Sequence, residues 1–89
     1  MSDESLKNYI KLSEIVDELD KRICEIEDTI DALDKNIDDA ETMGFSQGFI
    51  NSMCENRNIL DLARIDLSIL KNKNEKSLLD YQRIRLLSK

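Results

Sequence analysis

The feature that most constrains this 89-residue chain is an alternating 4-3 spacing of apolar side chains between Tyr9 and Ala40. Such spacing is a heptad repeat, which places the apolar residues in one narrow stripe along a helix. The repeat continues for about four heptads, which predicts a long α-helix that packs along its length on another helix. The stripe contains Val16, Leu19, Ile23, Ile26, Ile30, Leu33 and Ile37.

A second apolar stripe follows Gln47 with similar spacing. Acidic residues flank the first stripe at the heptad position where basic residues flank the second. Antiparallel helices bring these flanking positions together, so the charges favour a hairpin. The second stripe contains Met53, Leu60, Ala63, Leu67, Leu70, Tyr81 and Ile84. Three ion pairs between the helices are predicted, namely Asp34 with Arg57, Glu27 with Arg64, and Asp20 with Lys71.

Between the stripes lie the residues of a tight turn. Gly44 fits the left-handed residue that closes a helix, and Ser46 fits an N-cap whose hydroxyl accepts a bond from an early amide of the next helix. Folding here brings Ala40 opposite Met53. The predicted fold is all-α, a long antiparallel helical hairpin or two-helix coiled coil. Residues 1–89 are expected to form one domain, with helices at about 3–42 and 47–87 and a turn at about 43–46.

Several apolar residues of the second helix lie off the predicted seam. A helix with two apolar faces requires two neighbours, and a small chain without disulfides or metal often gains further burial by oligomerisation. We therefore expect a four-helix bundle, formed by a homodimer or with a protein partner. The candidate partner interface consists of Ile59, Leu62, Ile65, Ile69 and Leu79.

Composition argues against several classes of function. The chain has no His, two Cys and no Gly-rich phosphate loop, so we expect no enzyme activity, no cofactor and no metal site. No apolar run has the length of a signal-peptide core or a membrane span, so a cytoplasmic protein without membrane contact is expected.

The charge is divided unevenly along the chain. Residues 1–45 carry a net −9 and residues 46–89 a net +3, which gives −6 for the whole chain. Direct nucleic-acid binding is not expected, because the basic residues lack interleaved aromatic residues and several of them face acids in the hairpin.

Two functions are compatible with these features. The first is a non-enzymatic protein–protein interaction module, such as a small adaptor, assembly chaperone or regulatory subunit, that acts through helix packing. The alternative is an acidic decoy-type inhibitor of a nucleic-acid-binding protein, of the kind found among small viral inhibitors. The motivation for the alternative is the excess of carboxylates in the first helix.

Overall fold

The structure is a computed structural model that describes residues 3–87 as two long helices joined by a short turn. Helix α1 spans Asp3–Met43 and helix α2 spans Gln47–Leu87, with 41 residues in each. The helices pack side by side in a rod of 66 × 16 × 14 Å. The prediction of an all-α antiparallel hairpin is confirmed, and α1 extends one residue beyond its predicted end.

Backbone hydrogen bonds explain why α1 ends at Met43. Gly44 has a φ of 77°, in the left-handed region that glycine enters without a Cβ clash. Its N–H donates to the carbonyl of Glu41 at 3.2 Å, and the N–H of Phe45 donates to the carbonyl of Ala40 at 3.0 Å. These two bonds form a Schellman motif, which satisfies carbonyls that the end of a helix leaves free.

Helix α2 begins immediately afterwards with the predicted N-cap. The Ser46 hydroxyl accepts a hydrogen bond from the N–H of Phe49 at 3.3 Å, and the Ser46 carbonyl accepts the first helical bond from Ile50 at 3.1 Å. An N-cap of this type satisfies one of the early amides that have no partner within the helix. The two caps together reverse the chain within three residues, Gly44 to Ser46.

The stripe of α1 provides most of the buried surface. Its buried residues are Leu19, Ile23, Ile30, Ile37 and Ala40, whereas Val16, Ile26 and Leu33 are half-buried. Close to the turn, Ile37 and Ala40 form a small core with Ile50 of α2, against which Met53 and Cys54 pack. At the open end the rings of Tyr9 and Tyr81 stack with centroids 5.1 Å apart.

Helix α2 is rotated relative to the predicted seam. Leu60, Ala63 and Leu67 are half-buried, but Leu70 is 46% exposed and Ile84 is also exposed. The cations that flank the predicted seam are instead half-buried beside α1. These cations are Arg57, Arg64 and Lys71. Arginine and lysine can lay their aliphatic stems along apolar surface while their charged ends reach carboxylates, which makes this rotation possible.

Candidate protein-binding surface

The candidate surface is the side of α2 that faces away from α1. We call it the outer face of α2 and define it by the five residues predicted to form a partner interface. Their exposed fractions are Ile59 63%, Leu62 63%, Ile65 40%, Ile69 51% and Leu79 57%. Single exposed apolar residues are common on protein surfaces, whereas a contiguous apolar patch marks an interaction site. Four of the five lie within eleven consecutive residues, 59–69, and therefore within three turns of helix.

Helical geometry explains why these side chains point outward. Leu62 and Ile69 follow the inward residues Arg57 and Arg64 by five positions, which places them about 140° further around the helix. The same segment also sends Leu60 inward toward α1. The middle of α2 is thus apolar on two sides, but α1 covers only one of them.

Charged contacts hold the inner side of α2 to α1. The Nε of Arg57 donates to Asp34 at 2.8 Å, and the Nζ of Lys71 donates to Asp20 at 2.8 Å. These hydrogen bonds, with the attraction of the nearby carboxylates, raise the pKa values of Arg57 and Lys71 above their ordinary values. Two of the three predicted ion pairs are therefore confirmed. Because solvent reaches all four side chains, the pairs orient the helices more than they stabilise them.

The third predicted pair, Glu27 with Arg64, is wrong. The guanidinium of Arg64 bonds instead to Asp61 on its own helix, with nitrogen–oxygen distances of 2.9 and 3.1 Å. The difference follows from local geometry, because a carboxylate three residues earlier lies on the same side of a helix. Glu27, Asp61 and Arg64 all line an open groove of about 360 Å³ between the helices. Its lining is mainly charged, unlike the apolar pockets that typically bind small molecules.

A second apolar patch occurs at the turn, and the sequence patterns did not identify it. Met43, Phe45 and Phe49 are 73%, 49% and 51% exposed, and the two rings lie 5.3 Å apart. We call these three residues the tip patch. Both phenylalanines of the chain belong to it. That concentration of large apolar residues in a turn was the available sequence signal.

The acidic surface lies on the solvent side of α1. The exposed carboxylates include Asp17, Glu18, Glu25, Asp31, Asp38 and Asp39. Within residues 3–87 no group of three or more metal-ligating side chains is suitably placed to hold a metal ion. Cys24 is exposed on α1 and Cys54 is half-buried on α2, and both are free thiols.

The chain was compared with protein-family models, curated proteins and solved structures. No protein-family model, curated protein or solved structure matched it. In the part of the chain that the structure describes, neither helix is long and apolar enough to cross a membrane.

Proposed function

We propose that the chain is a non-enzymatic protein–protein interaction module, such as a small adaptor, an assembly chaperone or a regulatory subunit. It acts by packing the outer face of α2 against helices of another chain, which brings four helices together in one assembly. The observation that carries the proposal is the exposed apolar surface at Ile59, Leu62, Ile65 and Ile69. Burying such side chains contributes roughly 1.5–3 kcal/mol for each full burial, so several together favour association.

The small amount of burial inside the hairpin supports the same conclusion. Only six residues of the described chain are buried, five of them in α1 and one, Ile50, in α2. Small domains gain little from a single core and commonly need another subunit to bury more surface. Packing on the outer face would give α2 its second neighbour.

A paired-variant experiment tests this function. One variant replaces two outer-face residues, Leu62→Ser and Ile69→Ser, and the control replaces two exposed apolar residues of α1, Ile10→Ser and Ile15→Ser. Light scattering after size-exclusion chromatography measures the mass of the purified protein at several concentrations. A photo-crosslinking residue at position 59 identifies the surface buried in any complex, formed by the chain alone or with added cell extract.

We expect the outer-face variant to lose association and crosslinking, and the control to retain both. The reason is that the outer face supplies the apolar burial, whereas the α1 residues lie outside it. If the outer-face variant formed the same complexes with the same crosslinks as the unaltered protein, the proposal would be rejected.

The second candidate function is the acidic decoy, which the row of exposed carboxylates on α1 favours. In that case a basic nucleic-acid-binding protein would bind α1 through charge, and binding would weaken steeply as salt increases. Titration with such a protein at about 50 mM and about 500 mM salt tests this alternative. Equal affinity at the two salt concentrations would exclude it.

A further inference from the structure

Between residues 55 and 76 the outer face of α2 contains a nearly symmetric stripe. The stripe includes Leu62, Ile65 and Ile69 of that face, whereas Ile59 lies beside it and Leu79 lies beyond its end. Successive residues of this stripe are separated alternately by three and four positions. All of them are exposed, and Ile65 is the least exposed of its apolar residues at 40%. Read from either end toward the middle, it passes from a charged residue to an asparagine, then to an aliphatic residue, and meets at Ile65. The stripe is Glu55, Asn58, Leu62, Ile65, Ile69, Asn72 and Lys76.

This order of residues is what self-association about a twofold axis requires. In a twofold interface, residue i of one copy meets residue j of the other, and j meets i in return. If two α2 helices lie antiparallel and cross at Ile65, Leu62 of each copy lies near Ile69 of the other. Asn58 then lies near Asn72, so each polar residue is placed near another polar residue.

The charges at the ends of the stripe distinguish the two possible directions. Glu55 lies on one side of the apolar centre, and Lys73 and Lys76 lie on the other. An antiparallel pair brings each glutamate beside the two lysines of the other copy, whereas a parallel pair brings glutamate against glutamate. Like charges brought together at an interface oppose association. The charge order therefore favours the antiparallel pair.

These end charges are also available for a partner. Among the described residues, the ion pairs of α2 with α1 and within α2 involve Arg57, Asp61, Arg64, Lys71 and Glu75, and none involves the end charges of the stripe. Charged residues at the rim of an apolar contact determine direction and rate of association more than its strength. Asparagines within an apolar seam likewise specify register at some cost in stability.

We propose that the outer face of α2 binds the same face of a second copy of this chain, antiparallel and centred on Ile65. This inference rests on the proposed function and names the partner that covers the outer face. The dimer is a layer of four helices in the order α1, α2, α2 and α1. The tip patches lie at opposite ends of this layer, and the acidic surfaces of α1 remain in solvent on both sides.

Charge exchange tests the pairing. Sedimentation equilibrium measures the dimer dissociation constant of the unaltered chain, of Glu55→Lys, and of the double variant Lys73→Glu with Lys76→Glu. Each dimer has two clusters of one glutamate with two lysines, and each change makes both clusters repulsive, so we expect the dissociation constant to rise by about tenfold or more. The triple variant that combines all three changes restores the attraction and should return to within about threefold of the unaltered chain. Asp39→Lys, on the acidic surface of α1, is the matched charge control and should leave dimerisation unchanged.

Disulfide trapping tests whether the two α2 helices pair antiparallel or parallel. Both native cysteines are first replaced by serine, and new cysteines are placed by Leu62→Cys in one preparation and Ile69→Cys in another. Mixing the two preparations under mild oxidation should give a covalent heterodimer, and each preparation alone should give much less. A parallel pair would give the reverse result, because it brings each position against itself, and would overturn the inference.

A monomeric chain at all accessible concentrations would also overturn the inference. The crosslinking experiment described above then determines whether the proposed function survives. If position 59 still crosslinks to another protein and the Leu62→Ser, Ile69→Ser variant loses that product, the function stands and only the self-pairing fails. If the variant changes nothing, both fail.

Discussion

Helices α1 and α2 have equal length but use their apolar residues differently. Helix α1 has five buried residues on one stripe, and all of them face its neighbour. Helix α2 has one buried residue, Ile50, and places half-buried cations against α1 while its apolar middle faces solvent. The stripe of α1 is therefore mostly covered by the hairpin contact, whereas the apolar middle of α2 is left for the partner contact proposed above. The comparison assigns the hairpin contact to α1 and the capacity for a further contact to α2.

Two isoleucine-to-alanine substitutions test this assignment most strongly. Ile23 is 7% exposed on α1 and Ile69 is 51% exposed on α2. Ile23→Ala should lower the free energy of unfolding by about 2–4 kcal/mol, because it removes buried side-chain volume and leaves a cavity. Ile69→Ala should cost the isolated hairpin less than about 1 kcal/mol. Urea unfolding over a concentration series measures both, and equal losses at low protein concentration would contradict the assignment.

A smaller effect tests which side of α2 faces α1. Leu67 is half-buried, whereas Leu70, three positions later, is 46% exposed. Leu67→Ala should lower the free energy of unfolding by about 1–3 kcal/mol and Leu70→Ala by less than about 1 kcal/mol, because the lost burial differs. Thermal unfolding by circular dichroism ranks the two variants. Equal losses for the two variants would support the seam predicted from heptad spacing, which contains both leucines.

Substituting alanine for the two glycines near the turn should change the free energy of unfolding in opposite directions. Gly44 closes α1 at a φ of 77°, whereas Gly48 lies in the first turn of α2, and a methyl group added at either position would meet no atom within 4 Å. Gly44→Ala should cost about 1 kcal/mol because an L-residue is strained in the left-handed region. Gly48→Ala should stabilise the hairpin by up to about 1 kcal/mol because alanine favours the helix. Urea unfolding measures both variants, and an unchanged or raised midpoint for Gly44→Ala would show that the turn does not depend on Gly44.

The smallest predicted effect concerns the cations on the inner side of α2. The hydrogen bond to Asp20 raises the pKa of Lys71 above its ordinary value of 10.5. Its stabilisation is therefore present below about pH 10.5 and is lost as pH rises through the higher pKa of the folded state. Lys71→Gln should lower the stability of the hairpin slightly at pH 7. The variant should also no longer show the loss of stability at high pH that comes from Lys71.

Urea unfolding at about pH 7 and about pH 11.5 checks this prediction, with Lys35→Gln as the control because Lys35 is an exposed lysine of α1. The effect of Lys71→Gln at pH 7 should also shrink in about 1 M salt, because solvent reaches the ion pair. An effect independent of both pH and salt would assign Lys71 a packing role only.

The sequence was sufficient for the parts of the fold that depend on local chemistry. The stripe of α1 has a single period, so its buried face could be read directly from the spacing. The turn followed from Gly44 and Ser46, because only a few residue types suit a left-handed position and an N-cap. The charges that flank the stripes predicted antiparallel packing and two of the observed ion pairs.

The side of α2 that packs against α1 could not be predicted from the spacing in the same way. Its middle segment is apolar on two sides, so spacing alone does not determine which side meets α1. The stems of Arg57, Arg64 and Lys71 can occupy an interface that was assigned to apolar residues. The exposure of Phe45 and Phe49 was likewise missed, because turn chemistry constrains the backbone and not the direction of neighbouring side chains.

The hairpin also determines where attachments to the chain are located. Residues 3 and 87 both lie at the open end of the rod, beside the stacked tyrosines, whereas the turn lies at the opposite end of its 66 Å length. A fluorophore or affinity tag attached at residue 3 or at residue 87 therefore projects from the same end of the rod. Neither label should obstruct the tip patch, and a label on each of these two residues should give efficient energy transfer while the hairpin is closed.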